Sequence, residues 1–266
     1  MRLKPESLKI DVAKVSERLI GLTRRLVESS KASGVVLGVS GGLDSSTTAF
    51  LLAKALGGEK VYAVSLPEEG LSNPEDVEDA RMLAERLGLN FFKVEISELT
   101  RRFFSLVPVF DEAAQVANGN VKARVRMCIL YYFANRFNLL VAGTGNRSEL
   151  LTGYFTKYGD GASDFLPLGA LYKTQVKQLA AHLGVPEKII LKTPTAGLWA
   201  NQTDEEELGV KYEVLDLILH GLIDLGLTIS QVASELSIPE SLVERVKSMV
   251  EASQHKRRPP IIISPF

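Results

Sequence analysis

Residues 38–46, GVSGGLDSS, form a glycine-rich stretch between two segments of different periodicity. An apolar, β-branched run, GVVLGV (34–39), leads into the glycines, and a helical pattern continues from Ser45. A strand that passes through a glycine turn into a helix is the repeating unit of α/β proteins. Because ligands of such sheets bind where the strands end, this turn also predicts the position of the functional site.

The strand–helix alternation continues on both sides of this turn. An amphipathic helix is predicted at residues 5–30, and further strands and helices are predicted at 60–66, 74–88, 91–96, about 100–137 and 138–145. Residues 146–170 contain several glycines and no sustained period, which is typical of a functional loop. From Lys173 onward the pattern is mostly helical. The sequence therefore predicts an α/β fold, a doubly wound parallel sheet of the Rossmann-like type with a helical C-terminal part, in a single domain covering residues 1–266.

Composition excludes several classes of protein. The 31 basic and 32 acidic residues nearly cancel, so no net field favours nucleic acid or an anionic membrane surface. No run reaches the roughly 18 apolar residues that a membrane span needs, and the first residues lack a secretory signal pattern, so we expect a cytoplasmic protein. The single cysteine, Cys128, excludes an internal disulfide; its apolar surroundings predict a buried, unreactive thiol.

The glycine turn has three interpretations. Residues 38–42 match G-x-S-x-G, in which Ser40 would be a hydrolase nucleophile, but only 37 residues precede Gly38 and they leave no room for that fold's upstream strands. An ordinary tight turn would not need the four polar side chains Ser40, Asp44, Ser45 and Ser46. A phosphate-binding turn would need these side chains. The glycines let the anion approach the backbone, and the N-terminus of the helix and the serine hydroxyls bind it. The carboxylate of Asp44 would repel phosphate, so its presence implies Mg²⁺ between them.

Two blocks of sequence resemble known families. Ser40 to Ser45, S-G-G-L-D-S, resembles the pyrophosphate loop of N-type ATP pyrophosphatases, which have an adenine nucleotide alpha hydrolase-like fold. Residues 143–149 and 152–161, together with 122–127 and 167–173, resemble ammonia-dependent NAD synthetases, and the similarity extends over about 17–258. The resemblance implies a ligase that adenylates deamido-NAD with ATP and then amidates it with ammonia, releasing AMP and pyrophosphate. Another N-type ATP pyrophosphatase, amidating or thiolating a different adenylated substrate, is the alternative.

The resemblance also implies roles for individual residues. Asp44 and Lys173 would be catalytic, and Asp44 and Glu149 would bind Mg²⁺. The residues expected to contact ATP are Gly38, Val39, Ser40, Gly41, Gly42, Leu43, Asp44, Ser45, Thr144, Lys173 and Thr195. The residues expected to contact deamido-NAD are Arg124, Lys157, Asp164, His255 and Lys256, with Asp160 as a further candidate. Gly145 and the pair Ala162-Ser163 depart from the family pattern without removing any of these residues.

The remaining expectations concern partners. The resemblance implies a homodimer with the deamido-NAD site near the subunit interface, and the apolar residues within 124–141 are compatible with it. The chain has no room for a glutamine amidase domain, so free ammonia is the expected nitrogen source. Residues 228–253 have the rhythm of a DNA-binding helix-turn-helix, but acidic residues outnumber basic ones there, which favours a packed helical hairpin. A catalytically silent nucleotide-binding module is disfavoured because Glu149 and Lys173 are both present.

Overall fold

The computed structural model describes residues 3–264 and contains a four-stranded parallel sheet. The strands are β1 (Gly34–Gly38), β2 (Val61–Ser65), β3 (Asn90–Lys93) and β4 (Leu139–Val141). Their order is β3-β2-β1-β4, and every neighbouring pair is parallel. The doubly wound parallel sheet is thus confirmed. Because the chain winds in one direction from β1 to β3 and in the other to β4, the switch point lies between β1 and β4, where a crevice for ligands is expected.

Twelve α-helices surround or follow the sheet in the described part of the chain. They are α1 (Val12–Ser30), α2 (Leu43–Leu56), α3 (Pro74–Leu87), α4 (Ser97–Leu106), α5 (Gln115–Phe137), α6 (Arg147–Thr152), α7 (Lys173–Leu183), α8 (Glu187–Ile190), α9 (Asp204–Leu208), α10 (Tyr212–Leu219), α11 (Ile229–Leu236) and α12 (Glu240–Ala252). Short 3-10 turns lie at Pro5–Leu8, Gly58–Lys60 and Ser253–Lys256, and one π turn lies at His220–Asp224.

Several predicted boundaries were wrong for local reasons. The opening helix begins only at Val12, because the Asp11 side chain accepts a hydrogen bond from the Lys14 N–H and caps it there. The long helix predicted from about residue 100 is divided into α4 and α5 by an irregular segment that contains Pro108. The segment predicted as a loop at 146–170 begins with the short helix α6.

The sheet is buried on both faces. Val35 and Leu37 of β1 point into a core shared with α1, α2 and α7, whereas Val36 points into a second core shared with α5. All three side chains are fully buried. Alternating burial on two faces explains why β1 is apolar throughout instead of alternating with polar residues.

The C-terminal helices form a third core, centred on Tyr212 and Leu215 of α10. Val232 of α11 and Val243 and Val246 of α12 are fully buried in it. This arrangement confirms the packed helical hairpin. No helix within residues 3–264 is both long enough and apolar enough to cross a bilayer.

The prediction that Cys128 is buried was wrong. The thiol is exposed on α5, on the same side of the helix as Tyr132, which lies one turn further and is 69% exposed. Ala134, by contrast, is buried against the sheet. The apolar run 128–133 therefore covers both the inner and the outer face of α5, and among residues 3–264 only the inner face is packed.

Candidate active site

The glycine turn connects β1 to α2 in a conformation that requires glycine. Gly41 has φ +76°, and a Cβ at this position would lie 2.1 Å from the carbonyl oxygen of Asp76 in α3. Gly42 is the residue before the first turn of α2, and Leu43, Asp44 and Ser45 form that turn. The backbone thus curves around the start of α2, which is the geometry expected of an anion cradle.

The hydroxyl groups of this turn bind each other. The Ser40 and Ser45 oxygens are 3.0 Å apart, and the Gly42 N–H donates to Ser40 Oγ over 3.3 Å. Neither partner of Ser40 is a base, so the structure gives no support to Ser40 as a nucleophile. The same groups are donors that a phosphate oxygen could engage instead.

Asp44, Glu149 and Lys173 meet at the switch point. Lys173 Nζ lies 2.5 Å from Asp44 Oδ2 and 3.4 Å from Glu149 Oε1. The Lys173 side chain is only 4% exposed. Asn146 completes the group, because its Nδ2 donates to Asp44 Oδ1 over 3.0 Å. The three predicted charged residues, which come from the segments after β1 and after β4 and from the start of α7, are therefore brought together.

Capping interactions hold two of these residues in place. Asn146 and Glu149 form a reciprocal capping box at the start of α6, each side chain accepting from the other's backbone N–H. On α7, the carboxylate of Asp216 accepts from the N–H and the hydroxyl of Thr174, both over 2.8 Å. Asp216 is fully buried, and this contact fixes the first turn of α7, where Lys173 lies.

The pKa values of the cluster are shifted by burial and by mutual charge. Burial and the nearby Asp44 carboxylate raise the pKa of Glu149, although the Lys173 ammonium opposes this. Burial alone would lower the pKa of Lys173, but Asp44 and Glu149 hold it above its usual value. Lys173 therefore stays charged beside the two acids, and its ammonium offsets the charge of the Asp44 carboxylate.

These residues fit a magnesium ion. Mg²⁺ is usually held by one or two carboxylates together with waters and substrate phosphates. Asp44 and Glu149 supply two such carboxylates at one point. Within residues 3–264 no group of three His, Cys, Asp or Glu side chains is arranged to hold a metal alone. This donor set suits an ion that arrives with a polyphosphate.

A buried wall lies beside the cluster. The ring of Tyr212, which is fully buried, lies 5.0 Å from Lys173 Nζ, and its hydroxyl donates to Asp204 Oδ2 over 3.1 Å. Asp204 is 3% exposed, and burial raises its pKa, although Lys173 opposes this. The wall excludes water from one side of Lys173 and so strengthens its attraction for Asp44.

Three of the residues expected to bind deamido-NAD lie in or against the segment Thr152–Gly161. Arg124 donates to the carbonyl oxygen of Lys157 over 3.2 Å, and the Lys157 ammonium lies 5.2 Å from the Tyr158 ring. Lys256 donates to the carbonyl oxygens of Gly153 and Phe155, over 2.7 and 2.8 Å. These cations are brought to one segment, and two of them hold its backbone.

The other predicted site residues lie further apart. One oxygen of Asp164 accepts from the Val141 N–H of β4 over 2.7 Å, so part of its carboxylate is committed to the strand. Thr144 follows β4 and is partly buried, whereas His255 is exposed. Thr195 is also exposed and accepts a hydrogen bond from the Gly197 N–H over 3.1 Å. The described structure shows no direct contact between Thr195 and the glycine turn.

Sequence reasoning assigned no role to Asn146, Asp204, Tyr212 or Asp216. The N-x-x-E spacing of Asn146 and Glu149 is a capping-box signal that could have identified Asn146. Asp204 lies in the acidic stretch 203–209, whose charge alone gives no sign of a link to the site. Tyr212 and Asp216 carry no local signal, because they reach the site only through the packing of α10 on α6 and α7.

Comparison with known proteins gives a consistent result. The NAD synthase family model matches residues 15–260. The NH(3)-dependent NAD(+) synthetase of Hyperthermus butylicus is 49% identical over 255 residues, covering 96% of this chain and 92% of that protein. The NMN synthetase structure from Francisella tularensis is similar with a TM-score of 0.84 and 34% identity, covering 97% of this chain and 100% of that chain. An NH3-dependent NAD synthetase structure from Campylobacter jejuni has a TM-score of 0.80 and 32% identity, covering 96% and 100%.

Proposed function

The chain belongs to the NAD synthase family, and we propose that it converts deamido-NAD to NAD with ATP and ammonia. A carboxylate resists attack by ammonia, because its charge repels nucleophiles and oxide is a poor leaving group. Transfer of AMP from ATP to the nicotinic acid carboxylate gives a mixed anhydride and pyrophosphate. Ammonia then attacks the activated carbon and releases AMP.

One observation supports this reaction above all: the Asp44–Lys173–Glu149 group lies next to the glycine turn at the switch point. Adenylation by ATP needs positioned reactants and neutralised phosphate charge more than it needs a protein nucleophile. The turn offers N–H and hydroxyl donors for the phosphates. Lys173 offers a buried cation whose pKa stays high, so it remains charged throughout.

Asp44 and Glu149 would hold the magnesium ion of Mg-ATP. When bound, the ion would neutralise phosphate charge and favour the departure of pyrophosphate. With the ion bound, the Lys173 ammonium would no longer be needed to offset the two acids and would be available to the phosphates. Residues 38–45, Thr144 and Thr195 would bind the rest of ATP.

The cations around Thr152–Gly161 suit the other substrate. Deamido-NAD carries a pyrophosphate and a carboxylate, and Arg124, Lys157 and Lys256 provide positive charge near one segment. His255 precedes Lys256 and is exposed, so it is accessible to a substrate. The Oδ1 oxygen of Asp164 accepts a long hydrogen bond from the Tyr131 hydroxyl, at 3.4 Å, and so remains available to a polar group of the substrate.

The test is an assay of all products. Purified protein with deamido-NAD, Mg-ATP and ammonium chloride should yield NAD, AMP and pyrophosphate in equal amounts, and glutamine should not replace ammonium. Nicotinic acid mononucleotide is the comparison substrate, because a structural neighbour is named an NMN synthetase. If the protein uses the mononucleotide in preference, the mononucleotide and not deamido-NAD is its substrate. Absence of AMP and pyrophosphate with both substrates would refute the adenylation reaction and leave another adenylated substrate as the alternative.

A homodimer is part of the proposal. Helices α4 and α5 pack against each other and carry large apolar side chains that this chain leaves exposed, among them Leu99, Leu106, Val116 and Tyr132. Exposed apolar surface of this kind favours association with another chain. Light scattering should give twice the mass of one chain, and Tyr132→Glu should lower it; a monomeric wild-type protein at micromolar concentration would refute the dimer. The single domain and the cytoplasmic location stay predictions from the sequence.

A further inference from the structure

Lys192 makes three contacts that join separate parts of the ATP site. Its ammonium donates to the carbonyl oxygen of Gly41 over 2.9 Å, to Asp79 Oδ2 over 2.7 Å, and to the carboxylate of Asp76. An ammonium has three N–H donors, so all of them are used. The side chain is 25% exposed and lies between the glycine turn and α3. Neither the proposed reaction nor the sequence motifs assign it a role.

The Gly41 carbonyl determines which way a key N–H points. No peptide bond in the described structure is cis, and in a trans peptide the C=O and the following N–H point in opposite directions. Lys192 holds the oxygen of the Gly41–Gly42 peptide on the α3 side. The Gly42 N–H therefore faces away from α3, toward Ser40 Oγ at 3.3 Å.

Two adjacent glycines make this orientation easy to lose. Without Cβ atoms, both residues tolerate many backbone conformations, so the peptide between them can rotate at little cost. A rotated peptide would present a carbonyl oxygen to the bound anion and would repel it. We infer that Lys192 is a positioning residue for ATP, which holds the Gly41–Gly42 peptide so that its N–H faces the triphosphate. The inference rests on the proposed binding of ATP by this turn.

The acidic partners keep Lys192 in place. Asp79 is 7% exposed, and although burial would raise its pKa, hydrogen bonds from Lys188 and Lys192 hold the pKa below its usual value. The pKa of Lys192 is held above its usual value, since Asp76 and Asp79 outweigh the effect of burial. Charged hydrogen bonds are the strong ones, so this is a firm attachment of the turn to α3.

Lys192 also lies three residues before Thr195, the other predicted ATP contact. On the far side of this short connection, the Asp204 N–H donates to the Pro194 carbonyl over 3.0 Å. The segment that carries Thr195 is thus tied at Lys192 to the glycine turn and at Pro194 to α9. One ammonium therefore positions the turn and anchors the segment that completes the ATP site.

The chain offers a matched control. Lys188 pairs with the same Asp79 but is 62% exposed and has no contact with Gly41 in the described structure. We propose to compare Lys192→Met with Lys188→Met, because both remove one cation from Asp79. The double variant Lys192→Met/Asp76→Asn restores the net charge without restoring the Gly41 contact. Binding of Mg²⁺-α,β-methylene-ATP is measured by calorimetry, and KM values for ATP and deamido-NAD are measured by NAD formation.

The expected loss for Lys192→Met is about tenfold in nucleotide affinity and in KM for ATP, with KM for deamido-NAD changed less than about twofold. Lys188→Met should stay within about twofold of wild type for both, and the double variant should remain as weak as Lys192→Met. If Lys192→Met does not fold, Lys192→Arg serves, since its planar head cannot make three contacts from one nitrogen; a loss of about threefold is expected.

Three results would overturn the inference: unchanged nucleotide affinity in Lys192→Met, an equal loss in Lys188→Met, or recovery in the charge-restored double variant. The last would show that charge alone matters. Failure of the proposed function is distinguishable, because calorimetry decides the role of Lys192 even if the wild-type protein forms no NAD.

Discussion

The Asp44–Lys173–Glu149 group and the segment Thr152–Gly161 are held in place by opposite means. The first consists of buried side-chain charges at the starts of three helices, and neighbouring side chains fix it. In the second, basic side chains, Arg124 and Lys256, hold backbone carbonyls near the surface. The charged group is therefore pre-organised by packing, whereas the shape of the segment Thr152–Gly161 depends on a few contacts that single substitutions can remove.

Asp44→Asn should have the largest effect. The substitution removes a proposed magnesium ligand and the nearest counter-ion of Lys173, so we expect kcat to fall at least about a thousandfold while the fold is retained. Pyrophosphate release and circular dichroism measure the two quantities. Asp11→Asn, which keeps the cap of α1, is the control and should be fully active. Near-normal activity of Asp44→Asn would remove the metal assignment.

The pH dependence of the free energy of unfolding tests how Asp216 supports the buried Asp44–Lys173–Glu149 group. Burial raises the pKa of Asp216 to about 6, although hydrogen bonds from Ser148 and Thr174 favour its charged form. The folded protein thus binds the proton more tightly than the unfolded chain, and the stability due to this group is lost as pH rises from about 4 to 6. Relative to Asp216→Asn, wild type should lose about 3 kcal/mol in total between pH values well below 4 and well above 6, measured by urea unfolding at several pH values.

The control for this pH experiment is Glu213→Gln. Although partial burial opposes it, the hydrogen bond from Lys177 holds the pKa of Glu213 below its usual value. Its contribution therefore has the opposite sign: wild type should gain stability relative to Glu213→Gln as pH rises through about 4.5. A difference between wild type and Asp216→Asn that does not change with pH would contradict the buried, charged support of α7.

Lys256→Met tests the second region. Loss of two hydrogen bonds to the carbonyls of Gly153 and Phe155 should loosen the segment and raise KM for deamido-NAD about tenfold, with KM for ATP unchanged. Lys247→Met, which removes an exposed pair with Glu251, is the control for loss of a lysine in the C-terminal region. An equal rise in both KM values would mean that the two regions are not held independently.

Ser40→Ala should have the smallest effect. A phosphate donor contributes about one hydrogen bond, so we expect kcat/KM for ATP to fall about tenfold or less. Ser105→Ala removes an exposed hydroxyl that donates to the carbonyl of Arg102 within the same helix, and it should be neutral. Complete loss of activity, with ATP still bound, would revive the nucleophile interpretation of G-x-S-x-G.

The difference between the two regions also explains what the sequence could predict. The strands and the glycine turn with Asp44 have strong local patterns, whereas the roles of Glu149 and Lys173 were expected from the resemblance to a family. The structure brings the three charges together. The contacts that support these residues have no local pattern, because Asp216 contacts Thr174 across 42 residues and Lys192 contacts Gly41 across 151. Such contacts depend on how distant segments pack together, so no local pattern predicts them.

The prediction that Cys128 is buried failed for the same reason, since its neighbours in sequence are apolar on both faces of α5. As the only cysteine in the chain, and an exposed one, it is a single natural attachment point for a maleimide dye. It lies one helical turn from Tyr132, on the face proposed to meet a second copy. In the proposed dimer this face is covered, so the rate at which the thiol is alkylated would report how much of the protein is assembled, with no engineered label.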